Sequence, residues 1–310
     1  MTAGFIERLR NDVVIMYMPM QTFLVHEYGK PMETHLSEWV VNHPKEYQDA
    51  ARRSFEAGCD MVHTATQACS PFRAKPFGIT DSDRIYELNY RSAQMAKEVT
   101  PEGCYVVGNI SSTNPDFLEP VGTMTYDQVY DGYKVQISGL RDGGVDMFHI
   151  AGNHLEEELI AIKVAKDHSR LPILGLADYY AGKKGFKDWA GIGPKEGSEK
   201  LQNAGAHVIG AICGLMTKST DPSEWYPAAT QLVNEVRKGC DKPIAIQPDA
   251  GLAQLIGTKT IYPATPEQMA REVLDWITAG ARLVGGCCGT GLNHYRAISS
   301  VIKSWRGMNT

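Results

Sequence analysis

Short runs of consecutive apolar residues recur along the chain, and each is followed by a longer stretch with helical spacing. The apolar runs lie at 13–18, 60–66, 105–111, 146–152, 172–178, 207–213, 243–251 and 282–289. Helical stretches follow at 44–58, 81–99, 126–142, 154–168, 196–205, 222–239, 265–280 and 293–305. The runs do not alternate apolar with polar, so they read as strands buried on both faces, which means a parallel sheet. Glycine repeatedly closes a helix just before the next strand, as in "EAGCD", "DGGVD", "NAGAH" and "TAGAR", where a left-handed C-terminal cap is expected. Eight strand–helix units in 310 residues predict an α/β fold, a single (β/α)8 TIM barrel filling residues 1–310 as one domain. The rival is an open doubly wound sheet, but no GxGxxG follows the first strand, which argues against dinucleotide binding. Irregular stretches at 19–43, 66–80 and 179–195 directly follow strand C-terminal ends, and 252–264 continues the loop after the seventh strand. In a barrel those loops build the active-site face.

Composition narrows the function classes. Hydrophobic residues make up 43 % of the chain, and 31 basic against 36 acidic residues leave a net charge of −5. With no basic run, nothing predicts nucleic-acid binding. The first residues, "MTAGFIERLRNDVV", lack the apolar core of a signal peptide, and no stretch approaches the ~20 apolar residues that span a bilayer. The expectation is a soluble cytoplasmic protein. Its seven cysteines do not suit a disulfide framework in a chain this long. In a reducing compartment they point to metal binding or catalysis.

Three of those cysteines fall at one rim of the predicted barrel. Cys213 ends the sixth apolar run, and Cys287 and Cys288 end the eighth. These strands are separated by one other, and alternate strands share a layer of the barrel interior. A cluster of three thiols is a soft donor set suited to Zn2+. Gly285, Gly286 and Gly289 free the backbone to turn both adjacent sulfurs one way. Three protein ligands leave a fourth position for a substrate sulfur or oxygen, as in a catalytic zinc site. Buried core cysteines are the plain alternative. A redox dithiol of the adjacent pair is disfavoured by its strained ring.

The segments "GAICG" (210–214) and "GGCCGTGLNHYRAI" (285–298) resemble the homocysteine S-methyltransferase family. "QPDAGL" (247–252) and "EAGCDMVHTATQA" (56–68) are similar to that family's segments after the seventh strand and around the second. The resemblance covers essentially the whole chain. It implies the barrel, methyl transfer, and a zinc held by Cys213, Cys287 and Cys288. The family usually has an Asp-Gly-Gly turn after the first strand and Glu-Thr after the fourth, and both help hold homocysteine. Here "MYMPMQTF" (16–23) and "HIAGNH" (149–154) occupy those places.

Polar groups at strand ends are the other candidates for substrate binding: Gln21, Thr66, Gln67, Asn109, Asn153, Asp178 and Asp249. The two acids could equally cap helices or support ligands from behind. His63, His149 and His154 could donate a hydrogen bond, move a proton or fill the barrel. Met18 and Met20, with Tyr179, Tyr180, Phe186 and Trp189 of the fifth loop, could line an apolar pocket for a methylated compound. Loop packing or contact between copies in a homo-oligomer would explain them as well. Three functions follow. The first is zinc-dependent transfer of a methyl group to a homocysteine-type thiol. The second is demethylation of a methoxyl, methylthio or methylamine compound onto a corrinoid carried by a separate protein, because no DxHxxG motif is present here. The third is a zinc-binding protein without catalysis.

Overall fold

The computed structural model describes residues 2–111, 118–120, 122–152, 154–214, 221–257 and 259–308. Eight parallel strands form one sheet: β1 (Val14–Ile15), β2 (Met61–His63), β3 (Tyr105–Ser111), β4 (Met147–Gly152), β5 (Ile173–Ala177), β6 (Val208–Ile212), β7 (Ile244–Gln247) and β8 (Ala281–Val284). Their spatial order follows the chain, and β1 closes back onto β8 through Val14 beside Leu283 and Ile15 beside Val284. This is the (β/α)8 barrel expected from the apolar runs.

Parity along each strand divides the core in two. Val14, Met61, Val107, Met147, Leu174, Leu176, Val208, Ala245 and Leu283 fill the barrel interior. Ile15, Val62, Val106, Ile150, Ile173, Ile209, Ile246 and Val284 pack in the layer shared with the helices. The helices end where local chemistry ends them. Asp81 caps Ser82–Val99 by accepting from the backbone N–H groups of Asp83 and Arg84. Thr125 and Thr265 each form a capping box, with Gln128 and Gln268, at the starts of Tyr126–Asp142 and Pro266–Ala279. Gly205 and Gly280 terminate Pro194–Ala204 and Pro266–Ala279 with φ of 107° and 115°, a conformation that excludes most side chains.

Among the described residues no ladder joins β1 to β2, and Asp60 seals the seam instead. Its backbone N–H donates to the Ile15 carbonyl (2.9 Å), and its Oδ2 accepts from the Ile15 N–H (2.8 Å). Arg8 from the N-terminal helix Thr2–Asn11 and Arg306 from the final helix Leu292–Met308 hold that carboxylate, at 2.9 and 3.4 Å. Both arginines also grip Asp12, at 2.9 and 2.8 Å.

Several expectations need correction. The strands are shorter than the apolar runs, because apolar sequence continues past the last ladder bond. Cys213 therefore lies just beyond β6, and Cys287 and Cys288 lie in the loop after β8. The stretch 19–43 is largely helical, with helices Met20–Tyr28 and Leu36–Asn42, and 66–80 holds the short helix Pro71–Ala74. Hairpins occupy Tyr180–Lys187 and Gln254–Ile261. No helix among the described residues is long and apolar enough to cross a membrane.

Candidate metal centre

The loops after β6, β7 and β8 bring four donors together at the C-terminal mouth of the barrel. One ligand atom from each of Cys213, Asp249, Cys287 and Cys288 lies within 4.8 Å of all the others. The Cys288 sulfur is 4.0 Å from that of Cys213 and 3.9 Å from that of Cys287. The sulfurs of Cys213 and Cys287 are in direct contact, with Cα atoms 5.7 Å apart, a spacing that suits a disulfide as well as two ligands of one ion.

Backbone bonds hold this geometry. The N–H of Cys213 donates to the Gln247 carbonyl (3.0 Å) and that of Cys287 to the Pro248 carbonyl (2.8 Å). Cys288 N–H donates to Asp249 Oδ1 (2.9 Å), which fixes the carboxylate against the cluster. Thr290 Oγ1 donates to the Cys287 carbonyl (2.7 Å), and Tyr295 accepts from Gly286 N–H (3.1 Å). Cys213 has φ of 48° and is the one non-glycine residue with positive φ among those described. A side chain in that region costs about 1–2 kcal/mol, and such strain gathers at functional sites. Gly289, at φ 78°, lets the ring of Tyr262 pack on the loop: a Cβ there would overlap the Tyr262 side chain.

The electrostatics call for a cation. Burial and the neighbouring Asp249 push the Cys288 thiol up to about 12. Burial pushes Asp249 up to about 7. Burial, with Asp249 adding to it, also raises Asp178 to about 7. Left alone, Cys288 holds its proton at neutral pH, and Asp249 holds its own about half the time. A divalent ion would reverse that preference, because a coordinating thiol is deprotonated outright. Three sulfurs and a carboxylate form a donor set suited to zinc. The sequence pattern led to three ligands with one open position, and the structure adds Asp249 within reach of the fourth.

Below the mouth lies a polar layer built from inward-facing residues of β1 to β4. Tyr17 Oη is 2.6 Å from His149 Nδ1. Asn109 sits between the imidazoles, with its side-chain amide 3.2 Å from Nδ1 of both His63 and His149. His63 Nδ1 is 2.6 Å from the Thr64 carbonyl, and its Nε2 accepts from Met20 N–H (3.0 Å). Burial lowers His63 to about 4. Burial, with His63 contributing, lowers His149 to about 3. Both rings are therefore neutral at pH 7. Tyr17, Ala151, Leu176 and Ile212 share one interior cluster with Cys287, against which Cys213 and Cys288 pack.

The other sequence candidates scatter. Asp178 is half-buried near Asp249. Thr66 is fully buried and donates to the Asn109 carbonyl (2.8 Å). Gln67 reaches the Asn109 amide at 3.4 Å. Gln21 lies half-buried on the helix Met20–Tyr28. Met18, Met20 and Tyr179 are buried in the core layer shared with the helices, and the Tyr179 hydroxyl packs on Gly197. Tyr180 and Trp189 meet edge to face, 6.0 Å apart, with Trp189 exposed. His154 is 3.9 Å from Glu157. Asn153 lies outside the described residues. Sequence reasoning missed Tyr17, Tyr295 and Gln247. Their only signal was a polar-tipped side chain at or just past the end of an apolar strand, or on the last helix.

The model of the homocysteine S-methyltransferase family matches residues 19–302. Methionine synthase of Mycobacterium leprae (strain TN) is 27 % identical over 264 residues, covering 81 % of this chain. The chain spans 21 % of the length of the curated relatives it matches. Among solved structures, the metallated form of the homocysteine methyltransferase MmuM from Escherichia coli has a TM-score of 0.73 at 16 % identity, over 93 % of this chain and 96 % of that one. A methyltransferase from Methanosarcina mazei has a TM-score of 0.61 at 10 % identity, over 98 % of both chains. At these identities the structural likeness is one of fold.

Proposed function

The chain belongs to the homocysteine S-methyltransferase family, and on that premise we propose that it is a zinc-dependent methyltransferase. It moves a methyl group between a small-molecule donor and a thiol or other heteroatom substrate. One observation carries this reading: three sulfurs and a carboxylate oxygen, drawn from three separate loops, gather within 4.8 Å at the barrel mouth. Cys213, Cys287 and Cys288 would hold the ion, with the Asp249 carboxylate as a fourth donor whose place a substrate sulfur or heteroatom would take. Zinc bound there supplies the positive charge that keeps a substrate thiol ionised at neutral pH, or that draws electrons from a methylated heteroatom.

The chain's own residues do the rest. Cys288 N–H orients Asp249 through Oδ1. The Asp178 carboxyl, raised to about 7, can take up or release a substrate proton near neutrality, where proton exchange is most efficient. The barrel wall would hold the substrate in line for transfer, with Gln67 as a polar contact. Residues 1–310 act in this reading as one barrel unit.

A second reading has support of its own. Tyr17, His149, Ala151 and Gly152 present neutral groups after β1 and along β4, where an amino-acid ammonium would want a carboxylate. That favours a methylated ether, thioether or amine as donor, with a corrinoid on a partner protein as acceptor.

Metal analysis of the purified protein is expected to give about one zinc per chain, by the stoichiometry of a single donor set. Cys287→Ala and Cys288→Ala should lose both metal and methyl transfer. Transfer to homocysteine supports the first reading. Transfer from a methoxyl, methylthio or methylamine compound to a reduced corrinoid protein supports the second. Full activity in a zinc-free Cys287→Ala protein would overturn both.

A further inference from the structure

Proton positions in the polar layer follow from one backbone group. Met20 N–H donates to His63 Nε2 (3.0 Å), so a neutral His63 carries its hydrogen on Nδ1, which donates to the Thr64 carbonyl (2.6 Å). The Asn109 amide lies 3.2 Å from that same Nδ1. With its nitrogen facing His63, donor meets donor. Rotating the amide by half a turn, and the Gln67 amide with it so that the Gln67 nitrogen faces the Asn109 oxygen (3.4 Å), leaves both shapes unchanged and removes the conflict. The Asn109 oxygen then accepts from His63, and its nitrogen donates to His149 Nδ1. Tyr17 Oη, 2.6 Å from the same atom, also donates there, since a phenol is a far better proton donor than a neutral imidazole. His149 Nδ1 thus faces two donors with its one lone pair, the nearer being Tyr17, and its hydrogen resides on Nε2.

That Nε2 has no hydrogen-bond partner among the described residues, and the His149 side chain is 1 % exposed. A buried donor without a partner is unfavourable and invites a ligand. The Gln247 amide, whose nitrogen donates to the carbonyls of Tyr17 and Gly286, leaves its Oε1 unpaired in the same barrel interior. With both imidazoles neutral, this layer offers no positive charge to a carboxylate.

We infer that His149 Nε2–H is a substrate-binding donor, directed at an uncharged oxygen (hydroxyl, ether or carbonyl) of the small molecule whose sulfur or heteroatom meets the cysteine cluster. Tyr17 and Asn109 are positioning residues that fix its tautomer. This rests on the metal-centred reading above and adds the chemistry of the substrate's far end.

Three thiols test it on the cobalt-substituted protein: 2-mercaptoethanol, which carries a hydroxyl, ethanethiol, which carries no oxygen, and L-homocysteine, which is charged. Affinities are read from the charge-transfer band of the cobalt-substituted protein. Wild type should prefer 2-mercaptoethanol to ethanethiol by about tenfold, the worth of one buried hydrogen bond. His149→Ala should abolish the preference, and His149→Gln, which keeps an N–H donor, should retain part of it. Nitrogen-15 spectra of labelled histidine should show the Nε2–H form of His149, with the other tautomer appearing in Tyr17→Phe. An unchanged preference in both His149 variants, tightest binding of L-homocysteine, or a wild-type Nδ1–H tautomer overturns the inference while leaving the metal-centred reading intact. If no thiol perturbs the cobalt band, the metal-centred reading fails and takes this one with it.

Discussion

His149 and His63 show how strongly burial acts on single side chains. Their folded values, about 3 and about 4, lie below the ~6.5 of an unfolded imidazole. The unfolded chain therefore binds more protons in that window, and their contribution to stability is lost as pH falls through it. Each should cost about 2 kcal/mol between pH 6.5 and 5, at ~1.4 kcal/mol per unit. Asp178 and Asp249, raised to about 7, act in the opposite direction, since they protonate more readily in the folded state. A difference curve separates the effects. The stability of wild type minus that of His149→Gln should shrink by about 2 kcal/mol from pH 7 to pH 5, measured by urea unfolding of the metal-free protein. A flat difference would mean that His149 is not held neutral by burial. At this scale the three cysteines were legible, because sulfur chemistry and barrel geometry point the same way. Asp249 was seen as a candidate but not as a member of the cluster, since its approach depends on the Cys288 N–H and on a loop path that no residue pattern encodes. Tyr17 was missed because it looks like one more apolar residue ending "VVIMYM".

Among the elements, the helices of the repeating units were read to within three residues at each end, and the reason is chemical. Asp81, Thr125 and Thr265 are caps with their own side-chain bonds, so the start signal is written in one residue. Thr265→Ala should remove about 1 kcal/mol of stability and lower the urea midpoint without changing the slope. No change would mean that Pro266 alone suffices to start that helix. The helix Met20–Tyr28 was invisible for the converse reason: it starts at Pro19 with no side-chain cap bond. Strand lengths were overread because a ladder ends where its partner ends, while burial continues. Gly285, Gly286 and Cys287 remain buried after β8 has finished.

For the molecule as a whole, closure of the barrel rests on a carboxylate more than on a ladder. Asp60 joins β1 to β2 and is itself held by Arg8 and Arg306 from opposite ends of the chain. Asp60→Ala leaves the Ile15 N–H without its partner and takes from Arg8 and Arg306 one of the two carboxylates they share, and should cost about 3 kcal/mol. Asp60→Asn keeps one acceptor for that N–H and should cost less. Equal stabilities of both variants and wild type in denaturant melts would show that strand packing alone closes the ring. At the other end of the barrel, the candidate donors sit on the loops leaving β6, β7 and β8. An ion gripping all four would rivet three neighbouring staves together, shortening the excursions open to the last third of the polypeptide. Chelation would then do more than silence chemistry: the emptied rim would breathe, and a protease would find its first cuts there.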